Sequence, residues 1–413
     1  ESSLHMNFPE NLLAEIAVGN INSIDDALSW LKTTYFYVRF LINPLYYDIP
    51  KPTTTEENLL KFCMNKTEEL NQEDLIRDFK CTKFGLSMTM HYIKLDTMKA
   101  ILHANEKLTI FEVFEIFAQA TEFCDVKIKH QEKRLYKELN KSPLMRYPSE
   151  SKVTTIIQYE LGGLEFPNYN GAQKLQSSFL GDKFFVFKHV SRILKAMMDV
   201  FVEKKDAKSL INLGYVMRSI TAKGWEGSPN ELKQLDTIGI QSIKKLINHN
   251  VLTLMDAKAL SQTQLELFLG LKVGAGAKLK RVLSLIPKID VEAHLIGSEV
   301  QINIRIEPIT KNFKNETLYL QVISSSGGKL VDFRRTVLKN YVDGGFSITY
   351  GGQPVEVEAS IMCGVLGKAN AGGVKEPVLD IDPNFEFSSS STSLSDIFAI
   401  GKDKANPDQI KKV

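Results

Sequence analysis

The feature that most constrains this chain is a change of hydrophobic period near Ile289. From Pro9 onward apolar residues recur at helical spacing, whereas beyond Ile289 they alternate with polar ones. A period near 3.6 puts one stripe of each helix against a core, and a period of two puts every second side chain on one face of a sheet. The chain is therefore expected to be multidomain α plus β, with a large helical body followed by a β region. Its 413 residues, at about 100–200 residues per domain, suggest two to four units.

Within the helical body the most informative stretch is Phe184 to Lys205, FFVFKHVSRILKAMMDVFVEKK. At about 100° per residue, Phe187, Val190, Ile193, Leu194, Met197, Met198 and Phe201 gather on one side of a helix. Lys188, Arg192 and Lys195 gather on the other, at i, i+4 and i+7. Three cations in line match a helix that follows successive phosphates of a nucleic-acid strand. An ordinary solvated face, laced by an i,i+4 pair between Lys195 and Asp199, is the alternative.

The chain before this helix opens with a helix from Pro9 to Gly19, then one from Ser23 to Asn43-Pro44 and one near Glu56 to Glu69. Leu75-Ile76, Asp78-Phe79 and the turn-like segment around Gly85 form a small two-stranded wing, so residues 1–92 are expected to be a winged helix. Residues 93–227 continue as a helical bundle, with Leu108 to Val126 carrying phenylalanines at core spacing and Pro143, Pro148 and Pro167 marking connections.

Residues 228–289 contain two repeats of helix, glycine turn, helix, expected to be a helix-hairpin-helix domain. Ser228-Pro229-Asn230-Glu231 matches a capping box, followed by Thr237-Ile238-Gly239 and a helix from Gln241 to His249. Helices from Ser261 to Leu269 and from Ala277 to Leu285 flank a second turn, Val273 to Gly276. Gly239, Gly274 and Gly276 would present backbone N–H groups to phosphate, and Lys278, Lys280 and Arg281 would add charge. Packing blocks without phosphate contact are the alternative.

From 290 to 372, Val300 to Glu307, Leu318 to Ser324, Leu330 to Leu338, Gly345 to Thr349 and Val355 to Val365 are short β runs whose spacing suggests an immunoglobulin- or fibronectin-like β-sandwich. Arg334 and Arg335 fall on opposite faces of one strand, with at most one expected to face solvent, as a partner-binding anchor or as an edge charge that blocks aggregation. Residues 373–413 lose periodicity and are expected to be a disordered, acidic, serine-rich tail.

Charge and motifs narrow the function further. With 51 Lys and Arg against 49 Asp and Glu, no global field attracts polyanions, so such contacts must come from local stripes. Cys63, Cys81, Cys124 and Cys363 lack CxxC spacing, and the histidines form no zinc pattern. No apolar run approaches the roughly 18–20 residues that span a bilayer, so no membrane association is expected. The segment from Gly364 to Ala369 fails the Walker pattern, with Met362 where a glycine is required and Ala369 where a Ser or Thr is required. Gly274 to Lys278 lacks a dinucleotide fingerprint. The chain is expected not to be an enzyme by itself, and its start at Glu1 suggests a piece of a longer protein.

The order of these regions resembles the carboxy-terminal region of Ski-two-like superfamily-two helicases. The string from Phe8 to Tyr47 is similar to the entry of their winged helix, and HVSRILKAMMDVFVEKK resembles their ratchet helix. ESSLHMNF and RYPSESKV are most similar to the meiotic crossover DNA helicase group. The resemblance implies that Arg192, with Lys188 and Lys195 beside it, touches a translocating single strand, and that Asp199 stands near the place of a stacking aromatic. It also implies upstream RecA-like motor domains holding ATP and magnesium, with no cofactor in this region. A nuclear location follows from it too, as do action on D-loops and branched DNA to promote crossovers, and a MutL-type heterodimer docked through the β-sandwich. A protein-interaction scaffold with little DNA binding, and the accessory region of a related RNA-remodelling helicase, are the alternatives.

Overall fold

The computed structural model describes residues 2–47, 55–235, 238–296, 299–307, 312–313, 316–340, 344–349, 355–362 and 368–371. The first helices are α1 (Phe8–Ala17), α2 (Ile24–Lys32), α3 (Tyr35–Ile42) and α4 (Thr55–Gln72). The periodicity suggested one helix from Ser23 to Pro44, but the chain breaks it at Thr33-Thr34. Both hydroxyls donate back to carbonyls, of Trp30 and Leu31, each at 2.7 Å, and the Thr34 hydroxyl also caps α3. Hydroxyl side chains offer the backbone this local alternative to a continuous helix.

Strands β1 (Ile76–Arg77) and β2 (Lys80–Cys81) form the expected wing around Asp78 and Phe79, both at positive φ as a type I′ hairpin requires. Gly85 lies inside α5 (Lys83–Met90), not in a turn. The bundle comprises α6 (Leu95–Leu102), α7 (Ile110–Gln119), α8 (Lys133–Asn140), α9 (Lys152–Gly162), α10 (Gln173–Glu203) and α11 (Ala207–Ala222). The winged region and the bundle share one core, running from Phe8 to Trp225, so the expected boundary at 92 lies within a continuous apolar interior.

Next come α12 (Ile240–Asn248), α13 (Leu254–Ala259), α14 (Gln262–Leu269) and α15 (Gly276–Ser284). Ser228 forms no capping box. Its hydroxyl donates to the Trp225 carbonyl at 2.7 Å, and Glu231 accepts the amides of Gly227 and Leu254, so Pro229–Gln234 becomes a short 3-10 turn. The reciprocal capping boxes occur at Thr253 and Ser261. Thr237 lies outside the described residues.

The β region contains β3 (Lys288–Ile296), β4 (Glu299–Glu307), β5 (Asn312–Phe313), β6 (Glu316–Thr317), β7 (Tyr319–Ser326), β8 (Lys329–Val337), β9 (Gly344–Thr349), β10 (Glu356–Ile361) and β11 (Lys368–Ala371). Antiparallel pairing gives a sheet ordered β11-β10-β7-β8 and a second ordered β3-β4-β9. Val300, Ile302, Ile304 and Ile306 of β4 join Leu320, Val322, Val357, Ala359 and Ile361 in a core shared with α12 to α15. Ile323, Leu330 and Phe333 instead pack on the bundle core. Arg218 of α11, fully buried, bonds Glu226 at 3.0 Å and Ser360 of β10 at 3.1 Å, tying the helical body to the sheet. Strands β3, β5, β6 and β11 are additional to the five expected runs. Residues 363–367, which include Cys363 and most of the Walker-like segment, and residues 372–413 lie outside the described residues.

Candidate nucleic-acid interface

Helix α10 is 31 residues long, about 46 Å, and its burial follows the expected stripe. Val190, Ile193, Leu194, Met197, Met198 and Phe201 are buried, whereas Phe187 is partly open. The three acids of α10 are all drawn to other elements. Asp182 pairs with Lys152 of α9 at 2.7 Å, and Glu203 with Lys83 of α5 at 2.9 Å. Asp199 accepts from Ser87 at 2.9 Å and lies 2.8 Å from His91 Nε2. The suggested Lys195–Asp199 pair is therefore absent among the described residues, because α5 occupies the carboxylate.

This arrangement leaves the cations open. Lys188 and Lys195 are exposed, Arg192 is half-buried, and none of the three has an ion pair or hydrogen bond among the described residues. Arg192 Nε and His189 Nδ1 are buried without a partner there. Burial, followed by the nearby charges of Arg192 and Lys188, pushes the His189 imidazole below its ordinary range.

Sequence reasoning missed the aromatics on this face. Phe185 lies seven residues before Arg192, as Asp199 lies seven after it, so all three fall near one line of the helix. Phe185 is 39% exposed and Phe184 74%. The His189 ring stands 4.6 Å from that of Phe185, and buried Phe123 supports both edgewise at 6.3 and 6.5 Å. The available signal was the FF pair one turn before Lys188.

The glycine turns behave differently. Gly274 and Gly276 both donate their N–H groups to Glu266 Oε1, at 2.9 Å each. The Gln262 amide donates to the same oxygen at 2.9 Å, and these three bonds hold the Glu266 carboxyl below its ordinary range. A Cβ on Gly276 would stand 2.7 Å from Glu266 Cγ, so the close approach requires glycine. The amides expected to receive phosphate are thus engaged by an internal carboxylate, which corrects the reading of Gly274 and Gly276.

Lys280 is likewise committed, donating to the carbonyls of Lys258 at 2.7 Å and Leu260 at 2.5 Å. It closes the end of α13 and does not point to a free ligand. Lys278 and Arg281 are exposed on α15, and Gly239 is exposed at the start of α12. These residues sit on helices of the second core, whereas Lys188, Arg192 and Lys195 sit on a helix of the first.

Arg334 and Arg335 do point to opposite faces, in register with Val322 and Gln321, yet both are exposed. The reason is that β8 is the edge strand of its sheet. Arg334 bonds Asp332 at 2.7 Å, and the Arg335 guanidinium lies over the Tyr319 ring at 5.1 Å. Among the described residues no group of His, Cys, Asp and Glu is placed to hold a metal, and no helix is long and apolar enough to cross a membrane.

Residues 81–362 match the Sec63 Brl domain family, and residues 1–83 match a winged helix-turn-helix domain. The chain is 37% identical over 399 residues to the ATP-dependent DNA helicase MER3 of Saccharomyces cerevisiae, covering 88% of this chain and 34% of the relative. It is 29% identical to the probable ATP-dependent DNA helicase HFM1 of Mus musculus, covering 76% and 23%. For the MER3 homologue of Arabidopsis thaliana the identity is 28%, covering 73% and 28%. The chain thus spans about a third or less of the length of each.

Proposed function

Taking as premise that the chain belongs to the Sec63 Brl domain family, with a winged helix ahead of that domain and a likeness to MER3-type helicases, we propose that it guides single-stranded DNA along α10. The observation that carries this reading is the set of three cations, unpaired among the described residues, on a helix whose every acid is engaged elsewhere. Lys188, Arg192 and Lys195 contact phosphates, and Phe185, backed by His189 and Phe123, offers a ring to a base. Base stacking on such a ring contributes about 1–3 kcal/mol per base and tolerates any sequence, as strand guidance requires.

On this reading the longer protein is a nuclear, ATP-dependent DNA helicase of meiotic recombination acting on D-loops, with ATP and magnesium held in motor domains beyond this chain. The α12 to α15 region is a helix-hairpin-helix domain with a structural role, to which Gly239, Lys278 and Arg281 add at most a peripheral phosphate contact. The two sheets form an immunoglobulin-like sandwich. The edge strand β8, with Arg334 exposed on it, favours a second role in docking a protein partner such as a MutL-type heterodimer.

Photocrosslinking a bromouracil-substituted single strand to the chain tests the reading. Crosslinks are expected in the α10 peptide containing Phe184, Phe185 and His189. Crosslinks confined to α12 through α15 would overturn it.

A further inference from the structure

A second cationic surface lies beside α10. A cleft of about 350 Å³ opens where α10, the end of α11 and the β7–β8 side of the four-stranded sheet converge. Lys195, Lys223 and Arg335, one from each of these three places, line it, with no acidic residue among its described lining. Ser191 adds a hydroxyl, whereas the Thr221 hydroxyl donates to the Met217 carbonyl at 2.8 Å, and Tyr319 supplies a ring beneath the Arg335 guanidinium. None of the three cations has an ion pair among the described residues, although like charges drawn together destabilise one another unless an anion joins them.

The shape and chemistry select the anion. Three cations and the Ser191 hydroxyl around one opening suit the tetrahedral oxygens of a phosphodiester, and a ring on the wall suits the attached base. Lys195 is the shared element, since it ends the α10 row of Lys188 and Arg192 and also lines the cleft. The α10 row thus leads to an opening with no acidic residue among its described lining.

We propose that the cleft holds a phosphate of the same single strand as it leaves α10, with Lys195, Lys223 and Arg335 as its cations. The inference rests on the strand-guiding reading of α10 and extends it. Arg335 then becomes a nucleic-acid contact, leaving Arg334, on the other face of β8, to protein partners.

The test is a length series of oligothymidines, from about 4 to about 16 nucleotides, titrated against the chain over a range of salt concentrations. Each lost phosphate contact lowers the slope of log affinity against log salt by about 0.7 for a single strand. Lys223→Gln and Arg335→Gln are each expected to lower the slope by about 0.7 on the longer oligomers and to leave the shortest unchanged, while Arg335→Lys retains the slope. Unchanged slopes in both glutamine variants, with Lys188→Ala/Arg192→Ala still weakening binding, overturn the cleft alone. If that α10 variant also binds like wild type, the strand-guiding reading fails with it. Displacement from the cleft by polyglutamate but not by oligothymidine, read by fluorescence from a label beside Lys223, would assign the cleft to acidic protein and overturn the inference.

Discussion

Helix α10 and the glycine turn before α15 both look like anion sites in the sequence, and they differ in where the chain places its own carboxylates. Around α10, Asp182, Asp199 and Glu203 are drawn to Lys152, to Ser87 and His91, and to Lys83, which leaves the cation row open. At the turn, Glu266 accepts from both glycine amides and closes the site from within. A donor cluster is thus a ligand site only when no internal acceptor reaches it, because buried donors bond the nearest acceptor available.

Several substitutions sharpen or break this comparison. The largest effect is expected from Lys188→Ala/Arg192→Ala/Lys195→Ala, which should weaken single-strand binding at low salt by about a hundredfold, measured by fluorescence anisotropy. Phe185→Ala should cost about 1–3 kcal/mol of binding without changing the salt slope, since a stacking contact releases no counterions. A changed slope would mean that the ring only positions the cations.

At the turn the effects should fall on stability. Lys280→Ala, which removes two bonds to carbonyls at the end of α13, is expected to cost about 1–2 kcal/mol in urea unfolding and to leave single-strand affinity unchanged. The smallest effect belongs to Glu266→Ala. Its carboxyl titrates below the ordinary glutamate value of 4.5 in the folded chain, so its contribution is full above that value and fades as the pH falls through the depressed one. The midpoint difference between wild type and Glu266→Ala should therefore be present at neutral pH and shrink on acidification. Removing the carboxylate also frees the two amides, so sulfate should raise the midpoint of the variant more than that of wild type. An equal sulfate response would contradict the account of a self-filled site.

What the sequence made legible follows from how far apart the cooperating residues lie. The α10 register needed only neighbours within a few turns, and its stripe is buried nearly as the period indicates, with Phe187 partly open. The alternation of β4 likewise matches its burial. The break at Thr33-Thr34 was hidden because two hydroxyl bonds override an unbroken apolar period. Ser228 shows the reverse, a capping motif whose hydroxyl found a closer carbonyl. The partners of Asp199 sit 112 and 108 residues away, beyond any spacing rule, so Asp199 was read against Lys195. Glu266 is only ten residues from Gly276, but its role depends on the packing of α14 against α15. Exposed Phe184 and Phe185 were legible as residues and not as a surface, since exposure is decided by the fold.

The most direct test of the central claim is the salt dependence of oligothymidine binding by the wild-type chain, the Lys188, Arg192 and Lys195 triple alanine variant, and a Lys278→Ala/Arg281→Ala variant. The open-row account predicts a slope lower by about 2 in the triple variant and nearly unchanged in the α15 variant. A slope that falls in the α15 variant and holds in the triple variant would contradict it, placing the contact at the turn that Glu266 closes.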